Sequence, residues 1–564
     1  MIFSSKFKDV QIPDVDIPTF MLEMGKRSYK SAEKNVDYAI KDYSTGKSFT
    51  IEDLESQSVA FASGLVNDMK LGKDDVVAIF SQNSIYYPVV IFGTLMMGGI
   101  ATLVNPTYSP RELAHQLVDS GAKVIVTKSD LLQQVKEAIA VKGVDLPASR
   151  ILVMDTIKDP KGLNRHLSDI YSNLPFSRYS IKSYSEAKDK VAILSYSSGT
   201  TGLSKGVMLT HKNILTAAII NSNFSNMDGH HDRSVSPPVY ISMLPFYHIY
   251  GLVINLFIGL MNSAGLVVLE KFDIHTFFKL LQDEKVTFAH LVPPVIISMI
   301  NEPGVQKYDL SNLKLVMTGA APLGKDVLVK FCEKYKGVSV VIAYGMTETS
   351  PSVSVTFRDH PFDGSSGVLL SNTQAKVVDD EGKELGPNQI GELCFKGMNV
   401  MKGYLNNPKA TKNSVDFDGF YHTGDVGYID LDTNIFIVDR IKELIKYKGF
   451  QVPPAELESL LLLHEDVADS AVIGVQHEDL GTELPKAYVR LTSNHDGLSG
   501  DHKEAKANEI LAWVNGQVAP HKKLRGGVEV LDIIPKSASG KILRRQLRQM
   551  ENNRLKLTNG SSKL

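Results

Sequence analysis

The chain has 564 residues, a formal net charge of −2, 43% hydrophobic residues and 22% charged residues. These values are typical of a globular protein with several domains, and the small net charge argues against general nucleic-acid binding, which usually needs a basic excess. Two cysteines, Cys332 and Cys394, are too few for a disulfide framework. We therefore expect a reducing compartment and interpret both as small core residues.

The first 180 residues alternate helix and strand patterns, which predicts parallel sheets covered by helices. Within them, SPRELAHQLVDSG predicts a capped helix with Ser109 as the N-cap, Glu112 completing a capping box, and Gly121 just past the end. The KVIVT that follows predicts a strand.

Two long apolar stretches, Val89 to Val104 and Ile249 to Leu269, raise the question of membrane spans. The first is shorter than a bilayer requires, and the second carries Asn255, Asn262 and Ser263. Each is therefore predicted to be a buried helix followed by a strand. The amino-terminal segment has no sustained apolar core, so we expect no signal peptide.

Several histidines are given structural roles. His115 and Asp119 share one helix face, and we interpret them as a surface pair. His230 and His231 lie in GHHDRSVSPP, which is a loop by composition, and we expect both in solvent. The motifs H-E-x-x-H, G-x-S-x-G and G-x-G-x-x-G do not occur, so zinc protease, serine hydrolase and dinucleotide-binding functions lose their usual support.

The stretch SYSSGTTGLSKGVMLTH, from Ser195 to His211, combines glycines, hydroxyl side chains and the single cation Lys205. Glycines let backbone N–H groups approach an anion closely, and hydroxyls and a lysine add donors and charge. Apolar runs on both sides predict strand–loop–strand rather than a phosphate loop that opens a helix. We therefore predict a phosphate-binding loop, with a surface hairpin turn as the alternative.

The sequence changes character near Asp439, where a lysine-rich segment leads into a new alternation of helix and strand. Pro454 is predicted to begin a helix, and SAVIGV and KAYVRLT are predicted strands. These elements predict a large domain over residues 1–439 and a small α+β domain over residues 440–564.

Four more stretches combine turns with hydroxyl, acidic or basic side chains: AYGMTE (Ala343 to Glu348), YHTGD (Tyr421 to Asp425), DRIKELIKYKGFQ (Asp439 to Gln451) and PKSASGKILRR (Pro535 to Arg545). Each alone is compatible with a charged turn. Together with the first loop, and in this order, they resemble the adenylate-forming ligases, which include acyl-CoA synthetases, firefly luciferase and peptide-synthetase adenylation domains. The resemblance covers nearly the whole chain and is strongest to 4-coumarate–CoA ligase-like enzymes.

The resemblance implies an α/β fold with a large N-terminal domain of two α/β subdomains and a small β-barrel part, followed by a small mobile α+β C-terminal domain. It implies an acid–CoA ligase that uses ATP, CoA and Mg²⁺. An aryl or medium-chain carboxylic acid is adenylated to acyl-AMP and then transferred to CoA, releasing pyrophosphate and AMP. A luciferase-like monooxygenase acting on an adenylated acid is the alternative, and a domain that loads a carrier protein is disfavoured because no carrier domain is attached.

The resemblance also implies roles for residues at motif positions in the nucleotide site. The first loop would bind the β- and γ-phosphates through Ser197, Ser198, Gly199, Thr200, Thr201 and Lys205. The rest of the site would consist of Tyr344, Thr347 at the α-phosphate, Glu348 at magnesium, Asp425 at the ribose hydroxyls and Arg440 beside it. Lys541 would act between the carboxylate and the α-phosphate, and His248 would line the acyl pocket and orient the carboxylate.

In related enzymes, a rotation of the small domain brings a second face to the site for the thiol reaction. The residues implied for that step are Lys446 and Gln451 at the adenylate, Lys448 and Gly449 along the pantetheine channel, and Lys271 near the nucleotide end of CoA. Lys442 is assigned to the same cofactor-binding group, with a solvated surface position as its alternative.

The acyl pocket implied by the resemblance consists of Tyr250, Ala320, Ile342, Ala343 and Gly345. Related enzymes often have Gln-Gly before the tyrosine of YGMTE, where this chain has Ile342 and Ala343. A missing amide and an added methyl group predict a pocket that favours apolar tails over polyhydroxylated ones.

The tripeptide Ser562-Lys563-Leu564 matches a peroxisomal address that an import receptor reads at a free C-terminus. We therefore expect a peroxisomal enzyme with that receptor as a partner.

Overall fold

The computed structural model describes residues 1–31, 36–157, 165–197, 204–230, 238–360, 362–448, 450–477, 482–495, 497–537 and 540–561. Helices alternate with strands over most of this chain. The α-helices are Ile17–Ser31, Ile51–Asn67, Tyr87–Met96, Pro110–Ser120, Leu132–Ile139, Tyr184–Asp189, His211–Met227, Ile258–Met261, Ile274–Asp283, Pro293–Asn301, Lys325–Lys334, Pro408–Ser414, Pro454–Leu461, Gly500–Asn515 and Arg544–Ser561.

One sheet of the large domain is mainly parallel. Its hydrogen-bonded order is Gly403–Tyr404, Lys205–Thr210, Val191–Ser197, Ile100–Val104, Val76–Phe80, Ala122–Thr127 and Ile151–Val153. Pairing is parallel from Val191–Ser197 onward and antiparallel at the Gly403–Tyr404 end. The predicted alternation of parallel strands and covering helices is therefore confirmed for the first part of the chain.

The predicted helix caps are also confirmed. Ser109 and Glu112 form the capping box of helix Pro110–Ser120, and Gly121 follows it in the left-handed conformation, with φ 65°. Asp119 of this helix accepts a 2.7 Å hydrogen bond from the hydroxyl of Tyr196, so its carboxylate anchors the strand before the glycine-rich loop.

A second sheet forms the other half of the large domain. Its order is Val368–Leu369, Ser352–Val355, Ser339–Gly345, Leu315–Thr318, Phe288–Leu291, Val239–Ser242, Gly265–Val268, Ile40–Asp42 and Ser48–Phe49. Pairing is parallel from Ser339–Gly345 to Ile40–Asp42. The carboxyl ends of these strands therefore share one edge, which is where open α/β sheets bind ligands.

Both long apolar stretches are a helix followed by a strand, as predicted. The first contains helix Tyr87–Met96 and strand Ile100–Val104, with the helix entirely buried. The second begins as a π-helix, Tyr250–Phe257, continues as a short α-helix and ends in strand Gly265–Val268. Among the described residues, no helix combines the length and apolarity that a bilayer span requires.

The small β part of the large domain is an antiparallel sheet. Its order is Ile2–Ser4, Thr373–Val378, Gly391–Gly397, Tyr421–Ile429 and Ile435–Arg440. The last two strands pair Asp425 with Arg440 directly. The end of the large domain is therefore built into the sheet that carries YHTGD.

The C-terminal domain is α+β, as predicted. It contains the hairpin Ile445–Tyr447 and Phe450–Val452, and a sheet in the order Val467–His477, Thr482–Leu491 and Val528–Val530. Its helices cover that sheet, and Ile510 and Val514 of helix Gly500–Asn515 are fully buried against Leu457 and Leu461 in the domain's own core. Pro454 is the first residue of its helix, as expected.

The prediction that His230 lies in solvent is wrong. Its side chain is buried, with Nε2 2.8 Å from a carboxylate oxygen of Asp228, and its ring packs edge-on against Phe224 and Phe288. The polar composition of GHHDRSVSPP concealed the fact that His230 still packs on the end of helix His211–Met227. His231 lies outside the described residues. Cys394 is buried as expected, whereas Cys332 is only partly buried.

Candidate active site

The glycine-rich loop joins two antiparallel strands, as predicted. Ser197, at the end of one strand, faces Lys205, at the start of the next. The Lys205 ammonium lies 4.2 Å from the centre of the Tyr404 ring, a cation–π contact that fixes the end of the loop. Ser198, Gly199, Thr200 and Thr201 lie outside the described residues.

Glu348 lies against the start of this loop. The residue is 7% exposed, and its Oε1 accepts hydrogen bonds from Ser197 Oγ at 3.2 Å and from the Tyr404 hydroxyl at 2.9 Å. Half-buried Thr347 precedes it in the turn that follows strand Ser339–Gly345. An acidic group and hydroxyl donors from separate motifs are thus in direct contact, as a site for phosphates and a cation requires.

A second carboxylate, Asp425, lies at the junction of two sheets. It is 3% exposed, accepts a 2.8 Å hydrogen bond from the Tyr344 hydroxyl and lies 3.0 Å from Nε of Arg440. Burial and the Asp425 charge raise the pKa of Tyr344 well above its usual value, so the phenol remains a donor. Asp425, Tyr344 and Arg440, assigned to the nucleotide from separate motifs, are therefore neighbours.

Glu392 supports the turn that carries Asp425, and the sequence analysis missed it. Its Oε1 accepts from the backbone N–H of Gly424, and its Oε2 lies 2.8 Å from Nδ1 of His422. The hydrogen bond to Glu392 raises the pKa of His422. No local motif could identify Glu392, because 32 residues separate it from Gly424.

Lys541 comes from the C-terminal domain and reaches the large domain. The turn before it packs closely, since a Cβ on Gly540 would lie 3.0 Å from Cδ of Pro294. Burial and, next, the charge of Arg440 lower the pKa of Lys541 to about 8, against the opposing charges of Asp425 and Glu348. Lys541 is therefore within electrostatic reach of the predicted nucleotide residues.

His248 faces the same region. Burial, and then the charge of Lys541, lower the pKa of His248 to about 4, so the imidazole is neutral at physiological pH. Its Nδ1 lies 3.3 Å from the backbone nitrogen of Tyr250, which donates to it. Nδ1 is thus the acceptor, and the proton of the neutral ring is on Nε2. The charge of Lys541, from the C-terminal domain, is therefore near enough to His248 of the large domain to affect its pKa.

The residues assigned to the thiol step lie elsewhere. Lys446 and Gln451 face each other across the hairpin and are both exposed, and Lys448 and Lys442 are exposed as well. The Lys271 side chain is also exposed, 4.0 Å from a carboxylate oxygen of Asp130. Of the residues predicted on the C-terminal domain, Lys541 is the one whose pKa the predicted nucleotide residues Arg440, Asp425 and Glu348 influence, whereas the described residues assigned to the thiol step are exposed. Gly449 lies outside the described residues.

Four of the predicted acyl-pocket residues lie on or just beyond two adjacent strands, and the fifth, Tyr250, begins the π-helix. Ile342 pairs with Thr318 in the parallel sheet, and Ala320, just beyond that strand, has φ 69°. Tyr250 is buried, with its hydroxyl 3.1 Å from the carbonyl oxygen of Met317. Gly345 must lack a side chain, because a Cβ there would lie 1.9 Å from the Pro351 carbonyl oxygen. Ala343 follows Ile342 in the same strand.

Comparisons with known proteins agree with this arrangement. The profile of the AMP-binding enzyme family matches residues 29–405, and that of the AMP-binding enzyme C-terminal domain matches residues 456–541. The chain is 37% identical to 4-coumarate-CoA ligase 1 of Narcissus pseudonarcissus over 555 residues, covering 97% of this chain and 96% of that protein. It is 38% identical to 4-coumarate–CoA ligase 1 of Petroselinum crispum over 558 residues, covering 97% and 96%.

Solved structures share the whole fold. ATP-bound MatB from Rhodopseudomonas palustris has a TM-score of 0.78 at 27% identity, covering 94% of this chain and 98% of that chain. The anthranilate CoA ligase AuaEII, in complex with anthranoyl-AMP, has a TM-score of 0.82 at 21% identity, covering 95% and 98%. The latter likeness concerns the fold alone.

The chain belongs to the AMP-binding enzyme family. Within it, the chain is an AMP-forming acid–CoA ligase similar to the 4-coumarate–CoA ligases, and ATP and CoA are the cosubstrates that this family implies. The resemblance stated from the motifs, and the α/β fold with its large N-terminal and small C-terminal domains, are thereby confirmed.

Proposed function

We propose that this ligase activates an aryl or medium-chain carboxylic acid, and that its two domains build the adenylation site together. The observation that carries the proposal is the close packing of Gly540, next to Lys541 of the C-terminal domain, on Val292 and Pro294 of the large domain, which brings the Lys541 charge near enough to lower the pKa of His248. A cation there is near enough to influence both the group assigned to the acid and those assigned to ATP.

In the first step, a carboxylate oxygen attacks the α-phosphorus of ATP, and pyrophosphate leaves with the electron pair of the broken P–O bond. Both reactants are anions, so catalysis depends on positioning and on charge stabilisation. Lys541 offsets the charge that develops between them, Thr347 and Lys205 bind phosphate oxygens, and Asp425 accepts hydrogen bonds from the ribose hydroxyls. Neutral His248 can donate from Nε2 to the acid's carboxylate.

The residues around Glu348 fit a magnesium ion. The carboxylate of buried Glu348 accepts the hydrogen bonds from Ser197 and Tyr404 through Oε1. Carboxylate oxygens are ligands that magnesium prefers. When bound, the cation supplies charge neutralisation at the phosphates.

In the second step, the thiol sulfur of CoA attacks the acyl carbon, the thiol loses its proton, and AMP leaves. Exposed Lys446 and Gln451 are cross-strand partners on a hairpin of the C-terminal domain. We propose that a rotation of this domain moves Lys541 away from the adenylate and brings Lys446 and Gln451 to it. Lys448 and Gly449 would then border the thiol's path, with Lys271 and Lys442 toward the nucleotide end of CoA.

The test is a panel of aryl and fatty acids scored for ATP-dependent and CoA-dependent AMP release. We expect at least one aryl or medium-chain acid to support continued AMP release when CoA is present. When CoA is omitted, the reaction should stop after one turnover. Release with none of these acids would refute the substrate class. The luciferase-like alternative predicts oxygen uptake without CoA, and the ligase relatives described above do not favour it.

We also propose a peroxisomal location, supported only by Ser562-Lys563-Leu564, which lies outside the described residues. A tagged chain that ends in this tripeptide is expected in peroxisomes, and one that lacks it in the cytosol with unchanged activity. A truncated chain that remains peroxisomal in cells lacking the full-length protein would refute the proposal.

A further inference from the structure

Tyr404 contacts residues of three stretches assigned to the nucleotide, although it belongs to none of them. Its ring centre is 4.2 Å from Nζ of Lys205, and its hydroxyl donates a 2.9 Å hydrogen bond to Oε1 of Glu348. The same hydroxyl lies 3.5 Å from that of Tyr421, the first residue of YHTGD. Tyr404 is itself 4% exposed. One buried side chain therefore contacts both the lysine assigned to the phosphates and the carboxylate assigned to magnesium.

The backbone around Tyr404 is attached to the same two segments. The short strand Gly403–Tyr404 pairs antiparallel with the strand that follows the glycine-rich loop. The backbone N–H of Leu405 donates to the carbonyl oxygen of Gly206 at 2.8 Å, and that of Met401 donates to the carbonyl oxygen of Glu348 at 2.8 Å. The position of the tyrosine is therefore set by the loop's second strand on one side and by the turn that carries Glu348 on the other.

The two side-chain contacts use different parts of Tyr404. The Lys205 ammonium lies near the ring, whose π electrons attract a cation. The hydroxyl donates to Glu348, and a hydrogen bond to a carboxylate is stronger than one between neutral groups. Burial, and then the charge of Glu348, raise the pKa of Tyr404 above its usual value, so the phenol keeps the proton that it donates. A phenylalanine would preserve the ring and remove the hydroxyl, whereas a leucine would remove both.

Both partners of Tyr404 gain from being held before a ligand arrives. The Lys205 ammonium is carried on a flexible four-carbon stem, and ordering such a stem on binding reduces affinity. A contact that already limits the stem in the free protein lowers this entropic penalty. Glu348 is held by Tyr404 and Ser197 through the same carboxylate oxygen, Oε1. A lysine and a carboxylate of opposite charge are thus kept in place by one side chain.

We propose that Tyr404 is a positioning residue for ATP, whose ring orients Lys205 toward the phosphates and whose hydroxyl orients Glu348 toward the magnesium ion. The inference rests on the proposed function, because it adopts the assignments of Lys205 and Glu348. It adds a residue that lies outside the motifs, and it separates two effects within one side chain. The ring acts on ATP whether or not magnesium is present, whereas the hydroxyl acts on the contribution of magnesium.

The experiment measures ATP binding directly, by calorimetric titration of the full chain without any acid, so that no adenylation occurs. Each protein is titrated once with excess Mg²⁺ and once with EDTA. For Tyr404→Phe, the dissociation constant in EDTA should stay within about twofold of the wild type, because the ring remains. The factor by which Mg²⁺ tightens binding should fall by about threefold or more, because Glu348 loses a donor to its charged carboxylate.

Tyr404→Leu should weaken ATP binding in EDTA as well, by about two- to fivefold, the size of effect expected for a cation–π contact. A double-mutant cycle with Lys205→Ala separates positioning from general structural damage. If the ring acts through the lysine, Tyr404→Leu should have little further effect in the Lys205→Ala protein. Tighter binding by Tyr404→Leu would overturn the proposal, because it would show that the ring competes with ATP for the lysine.

Tyr421→Phe is the matched control, since it removes a neighbouring buried hydroxyl and leaves the Tyr404 ring and its bond to Glu348 in place. It should bind ATP like the wild type under both conditions. If Lys205→Ala leaves ATP binding unchanged, the phosphate assignment of the proposed function fails, and the inference fails with it. If Lys205→Ala weakens binding but both Tyr404 variants match the wild type, or the Tyr404→Leu effect persists in the Lys205→Ala protein, only the inference fails. Should Tyr404→Leu not fold, the response of Tyr404→Phe to Mg²⁺ decides the question.

Discussion

The hydroxyl of Tyr344 donates a 2.8 Å hydrogen bond to Oδ2 of Asp425, although 81 residues separate them. Tyr344 lies on a strand of the large mixed sheet and Asp425 on a strand of the antiparallel sheet. Arg440 adds its Nε at 3.0 Å from the other carboxylate oxygen. Two sheets therefore meet at one buried carboxylate, whose orientation both of them fix.

Asp425→Ala should raise the KM for ATP. A hydrogen bond to a charged group contributes about 1.5–3 kcal/mol, so we expect an increase of about tenfold or more. Tyr344→Phe is the matched control, because it removes one donor to Asp425 and keeps the acceptor. Its effect should be smaller. Initial rates over a range of ATP concentrations check this, and an unchanged KM in Asp425→Ala would contradict the ribose assignment.

Lys541→Ala should impair adenylation by about 10²–10³-fold, the cost of removing one preorganised charge contact. Thioester formation from supplied acyl-AMP should be much less affected, because the thiol step is assigned to the other face of the domain. Pyrophosphate release measures the first half-reaction and acyl-CoA formation from acyl-AMP the second. Equal losses in both half-reactions would contradict the assignment of adenylation and thioester formation to different faces of the C-terminal domain.

The adenylation rate should fall as pH rises through about 8. Burial lowers the pKa of Lys541 to about 8, so above this pH the free enzyme loses the ammonium that the reaction needs. An arginine remains charged throughout, and Lys541→Arg should lack this alkaline decline whatever its absolute rate. Profiles of kcat/KM for pyrophosphate release between pH 6.5 and 9.5 test this. The same decline in both proteins would assign it to another group.

Gly449→Ile should act on the thiol step alone. A bulky side chain on the face assigned to the pantetheine channel would obstruct CoA, while the nucleotide site is built from other residues. We expect acyl-AMP to accumulate and to react slowly with CoA, as followed by chromatography of quenched single-turnover reactions. A comparable fall in pyrophosphate release would show that the residue is not specific to the channel.

Short-range patterns predicted much of this molecule correctly. The capping box at Ser109 and Glu112, the helix that begins at Pro454, and the strand pair around the glycine-rich loop all depend on neighbours within a few residues. Local backbone preferences and side-chain periodicity act at that range. The prediction for His230 was wrong because it also relied on local composition. Loop composition gives no information about a ring that packs on Phe224 and Phe288.

By itself, the sequence determined the reaction class. The motifs specify which chemical groups are available, and their order along the chain resembles that of the adenylate-forming ligases. Only the tertiary structure decided which of these groups meet. It joined Glu348 to Ser197 and Tyr404, and it joined Asp425 to Tyr344 and Arg440. It also placed the charge of Lys541 near enough to His248 to lower the pKa of that histidine. Contacts between residues far apart in the chain depend on how sheets and domains pack, and burial then sets their pKa values and hydrogen-bonding needs. A local run of residues encodes neither property.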